Sequence, residues 1–314
     1  MPKLSIIVTI YKSEGNIAPF YDDFCRNIKP YIDEYEIIMV NDASPDNSWY
    51  EMVKLTKIDQ NVRLINLSRN YGDASGVYTA LKYATGDCAT VKSPDLQEPP
   101  ELTINMYNKW KDGAKIVVGS RESRNDPALS KFFASVYYKL MRKLVIGNMP
   151  PGGFDIHLID RQVIDYVVAM NDKNSLIRLQ LLWLDFGFEE VKYVRRERTI
   201  GKSSWTFAKK AKLVMDSFIG FSYVPIRIMS VVGIVFAVLA VIYGVYTIID
   251  NTLKGVSVPG YTSIFTLVLF SSGMIMFSLG VLGEYMWRTL DAARNRPIAA
   301  VSQLVNFEDD SIKI

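Results

Sequence analysis

The sequence predicts an α/β fold, a doubly wound and mostly parallel sheet, followed by an interfacial helix and a two-helix transmembrane hairpin. Three observations carry that expectation. Short apolar or β-branched runs alternate with helix-length amphipathic segments through the first part of the chain. Polar residues cluster directly after each run. Two long uncharged stretches lie near the C-terminal end.

The expected strands are Leu4–Ile10, Glu36–Val40, Val62–Asn66, Ala89–Lys92 and Lys115–Gly119. Between them, Gly15–Ile28, Ser48–Ile58, Ala74–Tyr83 and Glu101–Asp112 have helical length and amphipathic patterning. The first run is too short and too β-rich for a signal peptide and reads as a buried strand. In such sheets ligands bind beyond the carboxyl ends of the strands. Those positions hold Tyr11-Lys12-Ser13-Glu14, Asn41-Asp42-Ala43-Ser44-Pro45-Asp46, Ser68-Arg69-Asn70-Tyr71-Gly72 and Ser93-Pro94-Asp95-Leu96-Gln97-Glu98. No Gly-x-Gly-x-x-Gly and no Gly-Lys-Ser/Thr loop follows the first strand, which disfavours a dinucleotide-binding dehydrogenase or a P-loop nucleotidase. Singly, Asp42 and Asp46 also suit capping of a helix beginning near Ser48, and Asp95 suits a turn before Glu101. Their joint placement at successive strand ends favours a site.

Lys and Arg number 36 against 33 Asp and Glu, for a net charge of +3. That balance names no polyanionic partner, and no nucleic acid is expected. Cys25 and Cys88 suit reduced, buried thiols of a cytosolic domain rather than a disulfide or a metal site.

Ile228–Ile249 and Tyr261–Gly283 are each long enough, at roughly 20 residues, to cross a lipid bilayer as helices. Lys209, Lys210, Lys212 and Arg227 precede the first, and Arg288, Arg294 and Arg296 follow the second. Only Lys254 lies between, so the positive-inside rule places both ends in the cytoplasm at the plasma (inner) membrane. Trp205–Tyr223 mixes basic and apolar residues at helical spacing, as an interfacial helix does. The expected organisation is a cytoplasmic domain over 1–203, an interfacial helix over 204–224, a hairpin over 225–288 and a cytoplasmic tail over 289–314. Two spans suit either a monomer or assembly into a homo-oligomer.

Several strings stand out together: Leu4-Ser5-Ile6-Ile7-Val8, Val40-Asn41-Asp42-Ala43-Ser44-Pro45-Asp46-Asn47-Ser48, Asn66-Leu67-Ser68-Arg69-Asn70-Tyr71-Gly72, and Asp95-Leu96-Gln97-Glu98-Pro99-Pro100-Glu101. Phe154-Asp155-Ile156-His157-Leu158-Ile159-Asp160-Arg161, Gly201-Lys202-Ser203-Ser204-Trp205 and Gly283-Glu284-Tyr285 complete the pattern. In these strings the chain resembles the inverting A-type nucleotide-sugar glycosyltransferases, and within them the polyisoprenyl-phosphate branch.

The resemblance implies that Asp42 meets the base of a nucleotide-sugar donor, UDP-linked as the first expectation, with Tyr11, Glu14 and Asp46 in the same pocket. It implies that Asp95 and Gln97 ligate Mg²⁺ or Mn²⁺, hard cations suited to oxygen donors. Ser93 stands where the family usually has the first Asp of an Asp-x-Asp, so Lys92 and Ser93 are expected to alter nucleotide choice. Asp73 replaces a frequent Lys. Arg121, Arg124, Ser130, Lys131 and Ser135, with Arg198, Lys202 and Ser203, are expected on the phosphate of a polyisoprenyl acceptor, since Arg, Lys and hydroxyls suit phosphate oxygens. Asp155 falls at the family's active-site carboxylate, although a phosphate acceptor is already anionic and scarcely needs a base. It also suits a loop cap after Gly152-Gly153. His157, the only histidine, reads as structural.

A processive polysaccharide synthase is disfavoured, because Gln180-Leu181-Leu182-Trp183 lacks the Arg of the Gln-x-x-Arg-Trp motif. The remaining alternatives are a transferase acting on another lipid or glycan, and a membrane-bound nucleotide-binding scaffold without turnover. Ser93 and Asp73 favour the scaffold.

Overall fold

The computed structural model describes residues 1–122, 128–150, 152–173, 176–196, 214, 216–254 and 260–307. Two compact units result, one formed by 1–216 with 297–314 and the other by 217–296.

In the first unit, eight strands form one sheet in the order β7-β5-β6-β4-β1-β2-β3-β8. They are β1 (Lys3–Ile10), β2 (Glu34–Asn41), β3 (Val62–Leu67), β4 (Cys88–Lys92), β5 (Ile116–Arg121), β6 (Ile156–Asp160), β7 (Glu189–Tyr193) and β8 (Val301–Val305). The centre is parallel: β1 pairs with β2 and β4, and β2 with β3. β6 runs antiparallel to both β4 and β5, and β7 runs parallel to β5.

Central strands buried on both faces need near-continuous apolar sequence, and Leu4, Ile6, Ile7 and Val8 in β1 and Ile37–Val40 in β2 are fully buried. One face packs Leu4, Ile6, Val8, Ile37 and Met39 against Phe20 and Phe24 of α1 (Glu14–Asn27), Met52 of α2 (Ser48–Thr56), and Leu102 and Met106 of α4 (Pro100–Lys111). The opposite face is covered by α3 (Asp73–Tyr83) and α6 (Arg161–Met170). Helices on both faces make the sheet doubly wound, as the alternation of runs predicts.

At the amino ends of the strands, Glu36 forms a buried staple. Its carboxylate accepts from Ser5 Oγ (2.6 Å) and from the amides of Thr85 (2.6 Å) and Gly86 (3.2 Å), and it pairs with Arg63 (2.8 Å) and Lys3 (3.3 Å). Burial alone would raise its pKa. The Ser5 and Thr85 hydrogen bonds and the two cations outweigh this and hold it below the usual range.

The sequence presents 289–314 as a tail, yet this segment supplies β8, which pairs antiparallel with β3 through Ile65↔Leu304 and Asn66↔Gln303. An unpaired β3 edge would leave a row of amides and carbonyls without partners, and β8 covers it.

The second unit contains α8 (Val224–Lys254) and α9 (Tyr261–Ala293). Both helices outrun the apolar stretches. α8 continues past Asp250, and α9 passes Gly283 to Ala293, supported by an Arg288–Glu284 pair at 3.0 Å with i,i+4 spacing. Helical hydrogen bonding is local and does not stop where side chains become polar. Among the described residues, Val224–Tyr246 is the one segment long and apolar enough to cross a membrane. Most of the expected interfacial helix, 204–213 and 215, lies outside the described residues.

Candidate active site

Strand directions bring the strand ends of interest to one edge. β6 runs against its neighbours, so its amino end, preceded by Asp155, lies with the carboxyl ends of β4 and β5. The carboxyl ends of β1, β2, β3 and β7 fall on the same edge.

The β1 and β2 exits are laced together. Lys12 N donates to Ser44 Oγ (2.7 Å), Glu14 N to Asp46 Oδ2 (3.3 Å), and Asn47 N to Glu14 Oε2 (2.8 Å). Asp46 Oδ1 also accepts from Ser44 Oγ (2.5 Å) and Ser48 N (3.1 Å), so Asp46 caps α2. Burial would raise its pKa, but the bonds from Ser44, Ser48 and the Glu14 amide hold it down. Asp46, expected on the nucleotide, has its carboxylate occupied by this lacing. Tyr11, at the β1 exit, is 44% exposed, with Lys12 Nζ 5.5 Å from its ring centroid.

Asp42 is buried, and its two oxygens accept from Tyr71 N (2.7 Å) and Gly72 N (2.9 Å). The β3 exit bends toward it because Gly72 sits at φ 91°, a conformation glycine adopts without penalty. Each carboxylate oxygen keeps a second lone pair for a donor from a ligand. Asp73, the next residue, accepts from Thr9 Oγ1.

Lys12, Ala43 and Leu96 all have positive φ, at 51°, 49° and 57°. They sit at the exits of β1, β2 and β4. Left-handed backbone at non-glycine residues costs roughly 1 kcal/mol or more each and concentrates at working sites.

Lys92 turns to Thr103 of α4. It is buried, with Nζ 3.1 Å from Thr103 Oγ1 and 4.0 Å from Glu98, and burial lowers its pKa. Glu98 accepts from Ser93 N (3.0 Å), and burial pushes its carboxyl up to about 7. The pair fixes the loop from Ser93 to Gln97 from below. At its surface, Asp95 Oδ1 accepts from Gln97 N (3.3 Å), the turn anticipated from sequence. Gln97 Oε1 accepts from Arg195, whose guanidinium is 4.0 Å from Asp95 Oδ2. Two hard oxygen donors thus share one cation, which is the donor chemistry that suits Mg²⁺ or Mn²⁺. Among the described residues there is no cluster of three or more His, Cys, Asp or Glu that could hold a metal.

Asp155 lies between two arginines. Arg121 Nε is 2.5 Å from its Oδ2, and Arg178 of α7 (Ile177–Trp183) is 3.8 Å from its Oδ1. Arg178 also donates to the Phe154 carbonyl (3.2 Å). Gly153, at φ 65°, is required here, since a Cβ would fall 2.5 Å from the Tyr138 ring of α5 (Ala128–Leu144). Tyr138 therefore holds the loop that carries Asp155. His157 is buried, and among the described residues neither ring nitrogen has a hydrogen-bond partner; burial, and then the Arg178 charge, push its pKa down to about 3. It is neutral and structural.

Ser135 is exposed on α5. The side chains of Ser130 and Lys131, and all of Arg124, Arg198, Lys202 and Ser203, lie outside the described residues. Sequence reasoning missed Arg178, Arg195 and Glu98. A lone Arg within the apolar run Leu176–Trp183 was the available signal for Arg178.

Residues 5–168 match the model for glycosyl transferase family 2. The chain belongs to that family. It is a glycosyltransferase, and its sheet is the A-type fold of that class. Residues 224–288 match a second model, the GtrB C-terminal hairpin. The chain is 31% identical over 306 residues to the uncharacterized glycosyltransferase YkcC of Bacillus subtilis (strain 168), covering 97% of this chain and 95% of that protein. It is 32% identical over 298 residues to the prophage bactoprenol glucosyl transferase homolog of Escherichia coli (strain K12), covering 94% and 97%. With the bactoprenol glucosyl transferase of Shigella phage SfII the identity is 31%, covering 94% and 96%. Among solved structures, the mannosyltransferase PcManGT of Pyrobaculum calidifontis, in complex with GDP-Man and Mn²⁺, aligns with a TM-score of 0.45 at 13% identity, covering 91% of this chain and 87% of that one.

Proposed function

We propose that this glycosyltransferase moves a sugar from a nucleotide-sugar, UDP-linked as the first expectation, to a polyisoprenyl phosphate at the cytoplasmic membrane face, with inversion at the anomeric carbon. The observation that carries the reading is the Arg121–Asp155–Arg178 arrangement. Both oxygens of this carboxylate are engaged by guanidiniums, and the same cations favour an anionic acceptor whose phosphate oxygen is already charged. The names of the bactoprenol glucosyl transferases similar to it along nearly the whole chain support the same acceptor class.

In this reading Tyr11 stacks on the base and Asp42 accepts from its edge, while the laced β1 and β2 exits keep that wall rigid. Asp95 and Gln97 would hold Mg²⁺ or Mn²⁺, which when bound neutralises charge on the departing diphosphate. Arg121 and Arg178 position the attacking phosphate, and Asp155 keeps both guanidiniums aligned. The contribution is positioning and charge compensation.

The hairpin is read as two spans, α8 and α9, with both ends on the cytoplasmic side. Connectivity supports this, because β8 follows α9 yet belongs to the same sheet as β1. The test is transfer from a panel of radiolabelled nucleotide-sugars to undecaprenyl phosphate by the full-length protein in detergent, with Mg²⁺ or Mn²⁺. A lipid product that needs the metal and disappears in Asp95→Ala supports the proposal. Nucleotide binding without lipid product from any donor would overturn it.

A further inference from the structure

The Asp95–Gln97 oxygen pair already has a cation of its own. β7 ends at Tyr193, and the chain beyond it is clasped to the β4 loop. Arg196 N donates to the Gln97 carbonyl (2.9 Å), and Gln97 Nε2 donates back to the Arg196 carbonyl (3.3 Å). This clasp delivers the Arg195 side chain onto Gln97 Oε1 and within 4.0 Å of Asp95 Oδ2. Asp95 is nearly enclosed, with 9% of its side chain exposed, while Arg195 is 33% exposed. The carboxylate is therefore fixed and the guanidinium has room to leave.

We propose that Arg195 is a built-in counter-cation that occupies the Asp95–Gln97 oxygens when no divalent ion is there and competes with that ion for them. The proposal rests on the reading that these two oxygens are the metal ligands. Two cations a few ångströms apart in a partly enclosed loop repel, so the oxygens serve either the guanidinium or the metal. The tether makes the guanidinium a competitor of high effective concentration, because the chain around it is already docked on Gln97. Metal binding then includes the displacement of Arg195. Weak metal binding in the absence of donor follows, since the ion must break a charge-assisted hydrogen bond before it gains its own ligands.

The experiment is Mn²⁺ binding to the nucleotide-free, full-length protein in detergent, read from the free-ion electron paramagnetic resonance signal at constant ionic strength. Wild type, Arg195→Gln, Arg195→Lys and Asp95→Ala are compared. Loss of one charge-assisted bond corresponds to about a tenfold gain in Mn²⁺ affinity for Arg195→Gln. Arg195→Lys, which keeps a cation on the same tether, stays close to wild type. Circular dichroism confirms that each variant is folded. Unchanged or weaker Mn²⁺ binding in folded Arg195→Gln, with binding lost in Asp95→Ala, overturns the competition while leaving the metal site standing. Undiminished binding in Asp95→Ala overturns the metal-site reading and the counter-cation with it.

Discussion

Arg121 Nε lies 2.5 Å from Asp155 Oδ2, which places the candidate active-site carboxylate of this glycosyltransferase in an ion pair. With Arg178 at 3.8 Å on the other oxygen, Asp155 has a guanidinium on either side. A general base would need an open lone pair toward the acceptor.

Asp155→Asn is therefore expected to lower kcat by about tenfold through misalignment of the arginines, well short of the loss of 10² to 10⁴ typical for removal of a base. The shape of the kcat/KM pH profile should survive. Steady-state kinetics from pH 6 to 9 on both proteins checks this, and loss of the acidic limb would identify Asp155 as a base.

Arg178→Ala should raise the KM for the lipid phosphate and leave the KM for the nucleotide-sugar near its wild-type value. A charge-assisted contact to phosphate corresponds to about 10- to 100-fold in affinity. Varying each substrate at saturation of the other separates the two.

Gly153→Ala puts a methyl against Tyr138 and forces a non-glycine residue to φ 65°. The expected cost is about 2–3 kcal/mol, seen as a lower thermal midpoint. Adding Tyr138→Ala should recover the steric part and leave the backbone part.

His157 gives the fold a pH dependence of defined sign. Its folded pKa of about 3 lies below the value near 6.5 of an unfolded histidine. Between those values the unfolded chain binds the proton and the folded chain does not. Stability is thus complete above about pH 6.5 and falls as pH drops, by about 2 kcal/mol from 6.5 to 5. Denaturant titrations at the two pH values should show this in wild type and a flatter response in His157→Gln.

Most of the central sheet was legible in the sequence. Strands β1 to β5 and the first four helices fall within a few residues of expectation, because doubly buried strands must be almost wholly apolar. Strands at the sheet edges obey no such rule. β7 reads Glu-Glu-Val-Lys-Tyr, with three of its five residues exposed, and β8 is five residues long. Its partner β3 lies so far back in the chain that Ser302 and Asn66, joined by a 2.9 Å hydrogen bond, are 236 positions apart. Local patterning carries no signal for pairing at that distance. The site divides in the same way. Strand-exit residues such as Tyr11, Asp42 and Asp95 become candidates by position, but position does not say where a carboxylate turns. Asp46 turned to the α2 cap and Lys92 to the buried Glu98. Arg178 and Arg195 reach the edge from α7 and from the end of β7, elements whose packing against it the sequence does not disclose.

The most direct test of a phosphate acceptor offers the full-length enzyme, with one active nucleotide-sugar, undecaprenyl phosphate and undecaprenol in equal amounts. The account predicts that all transferred label appears on the phosphate-bearing lipid, and that Arg121→Ala and Arg178→Ala reduce that product. Transfer to the free alcohol at a comparable rate would contradict it.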